Sequence, residues 1–255
     1  KLAQENARYV LSVFLPATTM SYTTSIRQIN YIMDWCEKYV QNAPESNEYE
    51  KRLKDEIKLL GESLKSTSLV VSELNDTKSR RFEFLARQTD YKIYNANESF
   101  SDSYLIKYDC SLAMLGQAQR HRTIDYFMNF DGNPKSFYVP KCIVGTSLEK
   151  EWLTDLESVK NNTPNATMVQ VVETGLFSKF LLKCDERLCG RAQLEIMDNC
   201  IEVLKEFAEK DQLSDFMKEE MKSHYHDGKI RMKCHNIKCG EPCFWGPLKS
   251  QTKLV

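Results

Sequence analysis

Glycine and proline are scarce, nine and seven in a chain of 255 residues, which is about half the share an average protein carries. Both residues punctuate turns and hairpins, so their scarcity predicts few turns and long elements. An excess charge of either sign is also lacking: 35 Lys and Arg stand against 36 Asp and Glu. That balance removes any global electrostatic argument for nucleic acid or an anionic membrane. The longest apolar stretches, such as 9–15 and 176–182, fall far short of the ~20 residues a bilayer span needs. The sequence holds only four histidines, and none of the G-x-S-x-G, H-E-x-x-H, G-x-x-x-x-G-K-S/T or G-x-G-x-x-G patterns that mark common catalytic or nucleotide sites. What is present, 42% hydrophobic and 11% aromatic residues, excludes disorder and gives enough material for one sizeable core without help from a metal.

The apolar spacing reads as helical almost throughout. Ile26, Ile29, Ile32, Met33, Cys36, Tyr39 and Val40 recur at steps of three and four, one helix face that Pro44 ends. Leu53, Ile57, Leu60, Leu64, Thr67, Val71 and Leu74 follow the alternating spacing of a coiled-coil seam. Helical spacing also connects Leu105, Tyr108, Leu112, Leu115 and Ala118, then Leu148 to Val159, Met168 to Phe180, Leu194 to Ala208, and Leu213 to Met221. The run Asp131-Gly132-Asn133-Pro134 breaks the chain. The expected fold is therefore all-α: a long-helix hairpin or bundle over 1–130, a loop connector over 131–147, and a cysteine-rich helical region over 148–255 packed on the first.

Nine cysteines, Cys36, Cys110, Cys142, Cys184, Cys189, Cys200, Cys234, Cys239 and Cys243, crowd towards the C-terminus. An oxidising compartment would let them pair and staple the shorter helices. Zinc is the competing reading at the tail, where His224 and His226 precede Cys234, Cys239 and Cys243, but only Cys239-x3-Cys243 has the usual ligand spacing. Four N-x-S/T acceptors, at Asn75, Asn97, Asn161 and Asn165, favour secretion. The chain starts at Lys1 without a charged and apolar leader, as a processed extracellular form would. No cofactor is expected, and no catalytic residue stands out.

Two surface features are candidates for a partner. Tyr91, Tyr94, Phe100 and Tyr104 surround Asn97 where a long helix gives way to a polar turn, an arrangement suited either to recognition or to core packing. Arg120 and Arg122 flank His121 in a short basic run suited to a sulfate, a phosphate or a polyanion, although such runs are commonly just solvated faces.

In general character, through the 53–74 heptads, the aromatic 91–104 segment and the Cys184–Cys243 cluster, the chain resembles the thirty-four-kilodalton family of Aedes mosquito saliva. That resemblance implies a secreted, non-enzymatic protein acting on host immune or haemostatic proteins by binding them. Odorant-binding-type salivary carriers fit less well, because their paired C-x3-C and C-x8-C signature is missing. The alternative function is nevertheless a carrier, with a hydrophobic ligand enclosed by residues such as Phe177, Phe180, Met197 and Phe216.

Overall fold

A computed structural model describes residues 2–16, 19, 21–43, 45–67, 74, 103–130, 137–209, 213–235 and 239. The chain divides into two compact units that do not follow chain order: Phe14–Phe84 with Asn161–Thr163 form one, and Lys1–Val13, Leu85–Lys160 and Pro164–Val255 the other.

The smaller unit is a helix pair. It begins after the N-terminal helix α1 (Leu2–Ala7) of the larger unit and contains α2 (Ile26–Asn42) and α3 (Glu48–Lys65). Ser25 caps α2 by accepting the Gln28 N–H at 3.2 Å. Asn47 caps α3 through the Glu50 N–H at 2.9 Å while Glu50 reaches back to the Ser46 N–H at 2.7 Å, which closes both ends of the first turn. The α2 face expected from the spacing is buried at Ile32, Met33 and Cys36. On α3 the buried stripe is Glu50, Leu53, Ile57 and Gly61, so the seam leaves the heptad after one step and Leu60 is 37% exposed. Gly61 accounts for the shift. A Cβ there would lie 3.2 Å from the Cys36 Cβ, so the missing side chain lets α3 approach α2 closely and draws position 61, rather than 60, into the contact. The helix ends at Lys65, where Ser66 and Thr67 donate their hydroxyls to Ser63 and Leu64 carbonyls; of the rest of the expected seam only Leu74 lies within the described residues.

The larger unit overturns the all-α expectation. It holds a three-stranded antiparallel sheet of order β1-β3-β2, with β1 (Ser103–Ser111), β2 (Asp125–Asn129) and β3 (Met168–Leu176). Around the sheet lie α4 (Leu112–Ala118), α5 (Ser147–Ser158), α6 (Phe177–Arg187), α7 (Leu194–Glu209) and α8 (Asp215–Met221). A hairpin, β4 (Tyr225–His226) and β5 (Lys229–Ile230), follows. It turns on Asp227 and Gly228, both at positive φ, as a two-residue hairpin loop requires. The error over 103–118 and 168–180 has a common cause. Each stretch is a strand that runs without a loop into a helix, at Ser111/Leu112 and at Leu176/Phe177. Their apolar residues therefore satisfy helical spacing in part, and the junctions need neither glycine nor proline. The strand portions are rich in β-branched and aromatic residues, Tyr104, Ile106 and Tyr108 in β1 and Val169, Val171, Val172 and Thr174 in β3, which favour a pleated surface.

The disulfide-stapled C-terminal half is also corrected. Cys36, Cys110, Cys142, Cys184, Cys189, Cys200 and Cys239 carry free thiols, and Cys243 lies outside the described residues. Cys184 and Cys200 are neighbouring thiols in the core, both fully buried. Burial of apolar side chains, not sulfur, holds these helices in place: Phe177, Phe180, Leu188, Ile196, Met197 and Leu204 are fully buried.

Candidate functional site

Strand register places the central polar cluster. On one face of the sheet Glu173 of β3 stands opposite Ile106 of β1 and Tyr126 of β2, with Tyr104 and Tyr108 as its diagonal neighbours. The Tyr104 hydroxyl donates to Glu173 Oε1 at 2.7 Å and Tyr108 to Oε2 at 2.6 Å. Ten residues on, α6 brings Lys183 across this face, and its Nζ donates to Oε2 at 2.6 Å. Glu173 and Lys183 are both 0% exposed. Burial alone would depress the lysine, but the facing carboxylate outweighs it and holds the ammonium above its ordinary range. Burial and the same carboxylate push the Tyr104 and Tyr108 hydroxyls well above the ordinary phenol range, so both remain donors. The Lys183 ammonium lies 5.7 and 5.8 Å from the Tyr108 and Tyr126 ring centroids. These groups have the composition of an active site, yet they satisfy one another inside the core.

A second buried carboxylate, Glu195 of α7, ties three segments together. It accepts the Tyr9 hydroxyl at 2.7 Å, the Ser111 hydroxyl at 2.5 Å and the Ser111 N–H at 2.7 Å. Ser111 in turn caps α4 by accepting the Met114 N–H at 3.0 Å. Burial raises the Glu195 pKa against the lowering effect of these donors.

The surface candidate is the turn between α4 and β2. Arg120 and Arg122 are exposed there, on either side of half-buried His121. Backbone bonds fix the turn, His121 N–H to Ala118 O at 2.9 Å and Ile124 N–H to His121 O at 3.1 Å. The last residue of α6, Arg187, reaches it from below: its Nε–H donates to His121 Nε2 at 2.9 Å and its Nη2 to Gln117 O at 3.0 Å. Since Nε2 accepts, the neutral ring carries its proton on Nδ1. Burial first, then the Arg187 and Lys183 charges, lower the His121 pKa from 6.5 to about 4. Burial and the nearby Arg120 charge lower that of Arg187. Among the described residues no carboxylate lies within ion-pair distance of Arg120, Arg122 or Arg187. The helix ridge Phe180, Lys183, Arg187 therefore links the sealed cluster to the surface. Arg187 escaped the sequence reading; its signal was a like-charged pair four residues apart on the flank of an apolar stripe.

The depressed His121 pKa gives a pH dependence of known sign. With the folded value below the ordinary 6.5, protonation favours the unfolded chain. The stability His121 supplies is thus complete above pH 6.5 and lost as pH falls towards 4. In urea titrations at pH 7.5 and about pH 4.5, His121→Asn should narrow the stability gap seen in the native sequence; an unchanged gap would show that other groups carry the acid sensitivity.

Tyr104 is 4% exposed and bonded to Glu173, so it packs in the core and offers no surface to a partner; Tyr91, Tyr94 and Phe100 lie outside the described residues. Asn161 is exposed. Asn165 spends its side-chain amide on Arg8 O and Leu11 O, at 3.3 and 2.9 Å, tying the N-terminal segment down. Asn75 and Asn97 lie outside the described residues. Of the residues named for a hydrophobic carrier, Phe177 and Phe180 stack edge-on with Phe207, at 5.4 and 5.8 Å between ring centroids. Met197 is fully buried, whereas Phe216 is 57% exposed, so the four do not line one cavity.

Among the described residues no set of three His, Cys, Asp or Glu is arranged to hold a metal ion. His224 is engaged by Asp185 at 2.9 Å and Ser223 at 2.7 Å, and Ser223 also donates to Glu220 O at 2.8 Å. Although these are the groups of a serine hydrolase, a hydroxyl has one proton, and here Glu220 O takes it. The trio pins the residues before β4 to α6. No helix among the described residues is long and apolar enough to cross a membrane.

Fold and site together define a class: a mixed α/β protein whose buried carboxylates Glu173 and Glu195 are satisfied within the core and whose uncompensated charge is presented on a braced turn. The chain matches no protein-family model and no curated protein.

Proposed function

We propose that this is a secreted binding protein that engages an acidic face of a partner protein through the Arg120–Arg122 turn and does not act by turnover. One observation carries the reading: two exposed guanidinium groups sit on a turn fixed by backbone bonds and by Arg187, with no described carboxylate to neutralise them. A turn whose backbone is already fixed loses little entropy on docking, and unpaired cations on it steer an acidic partner over long range. The exposed acceptor Asn161 supports an extracellular setting. The resemblance to mosquito salivary proteins directs the choice of partners to vertebrate immune and haemostatic proteins.

The test is surface plasmon resonance of the full chain against a panel of such plasma proteins. Binding that weakens as salt rises is expected, reduced about tenfold or more in Arg120→Glu/Arg122→Glu. Both positions are exposed, so the far-UV spectrum of the double variant should match that of the native chain. Binding that ignores both salt and the charge reversal would sink the proposal.

A further inference from the structure

We infer that Arg187, His121 and Arg120 form a subsite for one tetrahedral oxyanion with no proton of its own, the sulfate group of a sulfated partner. The inference rests on the reading that the 120–122 turn is a binding surface, and it names the group bound there.

A guanidinium has five N–H donors in a planar fork. Arg187 uses two of them, on His121 Nε2 and Gln117 O, and three remain. Those two bonds lock the fork between α6 and the α4 turn, so its orientation is set before any ligand arrives. The partners are an imidazole nitrogen and a backbone carbonyl, both neutral, so they hold the cation without cancelling its charge. The Gln117 carbonyl that accepts from Arg187 also accepts the Arg120 N–H, at 3.4 Å, which brings the Arg120 backbone beside the Arg187 fork. His121 contributes an Nδ1–H with no partner among the described residues.

The inventory at this point consists of donors, and its one imidazole acceptor is occupied by Arg187. A donor-only site suits an anion that carries no proton. Sulfate meets that condition at every pH from 5 to 8, whereas inorganic phosphate keeps a proton and, near pH 6, mostly two. Each proton also takes up an oxygen that the donors could otherwise bind and removes charge, so that near pH 6 phosphate offers the site mostly a monoanion where sulfate offers a dianion. The bidentate geometry of a guanidinium fork on a tetrahedral oxyanion is not reproduced by a lysine ammonium.

Isothermal titration of the full chain with sodium sulfate, at ionic strength held constant with chloride, tests the subsite. One saturable site is expected. Its affinity should fall by about tenfold or more in Arg187→Lys, which keeps the charge and loses the fork, and in His121→Leu. At pH 6 inorganic phosphate should bind more weakly than sulfate. Absence of saturable sulfate binding, equal affinity in Arg187→Lys and His121→Leu, or phosphate binding as tightly as sulfate at pH 6 would each overturn the inference. Should a variant fail to fold, the comparison of sulfate with phosphate on the native chain still decides. If sulfate binding fails while salt-dependent partner binding persists and is lost in Arg120→Glu/Arg122→Glu, only the subsite falls; if partner binding also fails, the underlying reading falls with it.

Discussion

Lys183→Met should destabilise the protein by about 3–5 kcal/mol, among the largest effects of any single substitution in the chain. The substitution keeps most of the volume and removes the only ammonium from a fully buried carboxylate, Glu173, which then has two tyrosine hydroxyls and no counter-charge. Taking both charges out together tells a different story. In Glu173→Gln/Lys183→Met the neutral amide still accepts from Tyr104 or Tyr108, and no unpaired ion remains. The double variant should therefore recover more than half of the loss, because a buried pair offsets its own desolvation only narrowly. Urea denaturation of the three proteins, read as a double-mutant cycle, measures this. A loss under about 1 kcal/mol in Lys183→Met would show that water reaches Glu173, contrary to its burial.

This ion pair also shows how far the sequence could be read. Helices α2, α5 and α7 were legible because their apolar stripes run for three turns or more. The sheet was not. Its strands are partnered across gaps of 40 residues and more, Tyr126 with Glu173 and Lys107 with Val172, so no hairpin turn joins them in the sequence, and their apolar residues run on into helices with part of the helical spacing. Glu173 sits in an apolar run where a lone acid reads as a surface position of a helix. Lys183 reads the same way on α6. Only register and packing turn the two towards each other. The basic run at Arg120–Arg122 was visible as charge, but its brace, Arg187, is 65 residues further on and could be found only by folding α6 back over the sheet. Cysteine counting misled because it treats crowding as a cross-link signal. Here Cys110, Cys184 and Cys200 are fully buried thiols that behave as small apolar side chains.

Glu195→Ala should cost about 2–4 kcal/mol. Truncation leaves the Ser111 N–H, the Ser111 hydroxyl and the Tyr9 hydroxyl, all buried, without the oxygen atoms they now donate to. It also frees the strand-to-helix junction at Ser111 from the N-terminal segment, so amide exchange should rise at Met114, whose N–H is held by the Ser111 hydroxyl. Glu195→Gln separates hydrogen bonding from charge. Its carbonyl can replace Oε1 for the Ser111 N–H, and its amide can donate to the Tyr9 and Ser111 hydroxyls, so about 1 kcal/mol is expected. The pH dependence of the two proteins should diverge in a fixed direction. Burial raises the Glu195 pKa above 4.5 in the folded state, so the folded chain holds this proton more tightly than the unfolded chain does. The contribution is therefore greatest below pH 4.5 and declines as pH rises through the folded value. The glutamine variant lacks that decline, and its stability deficit relative to the native chain should shrink on going from acid to neutral pH. A deficit that instead grows with pH would mean that the donors from Tyr9 and Ser111 outweigh burial, and that Glu195 is held as a carboxylate in the core by its three hydrogen bonds alone.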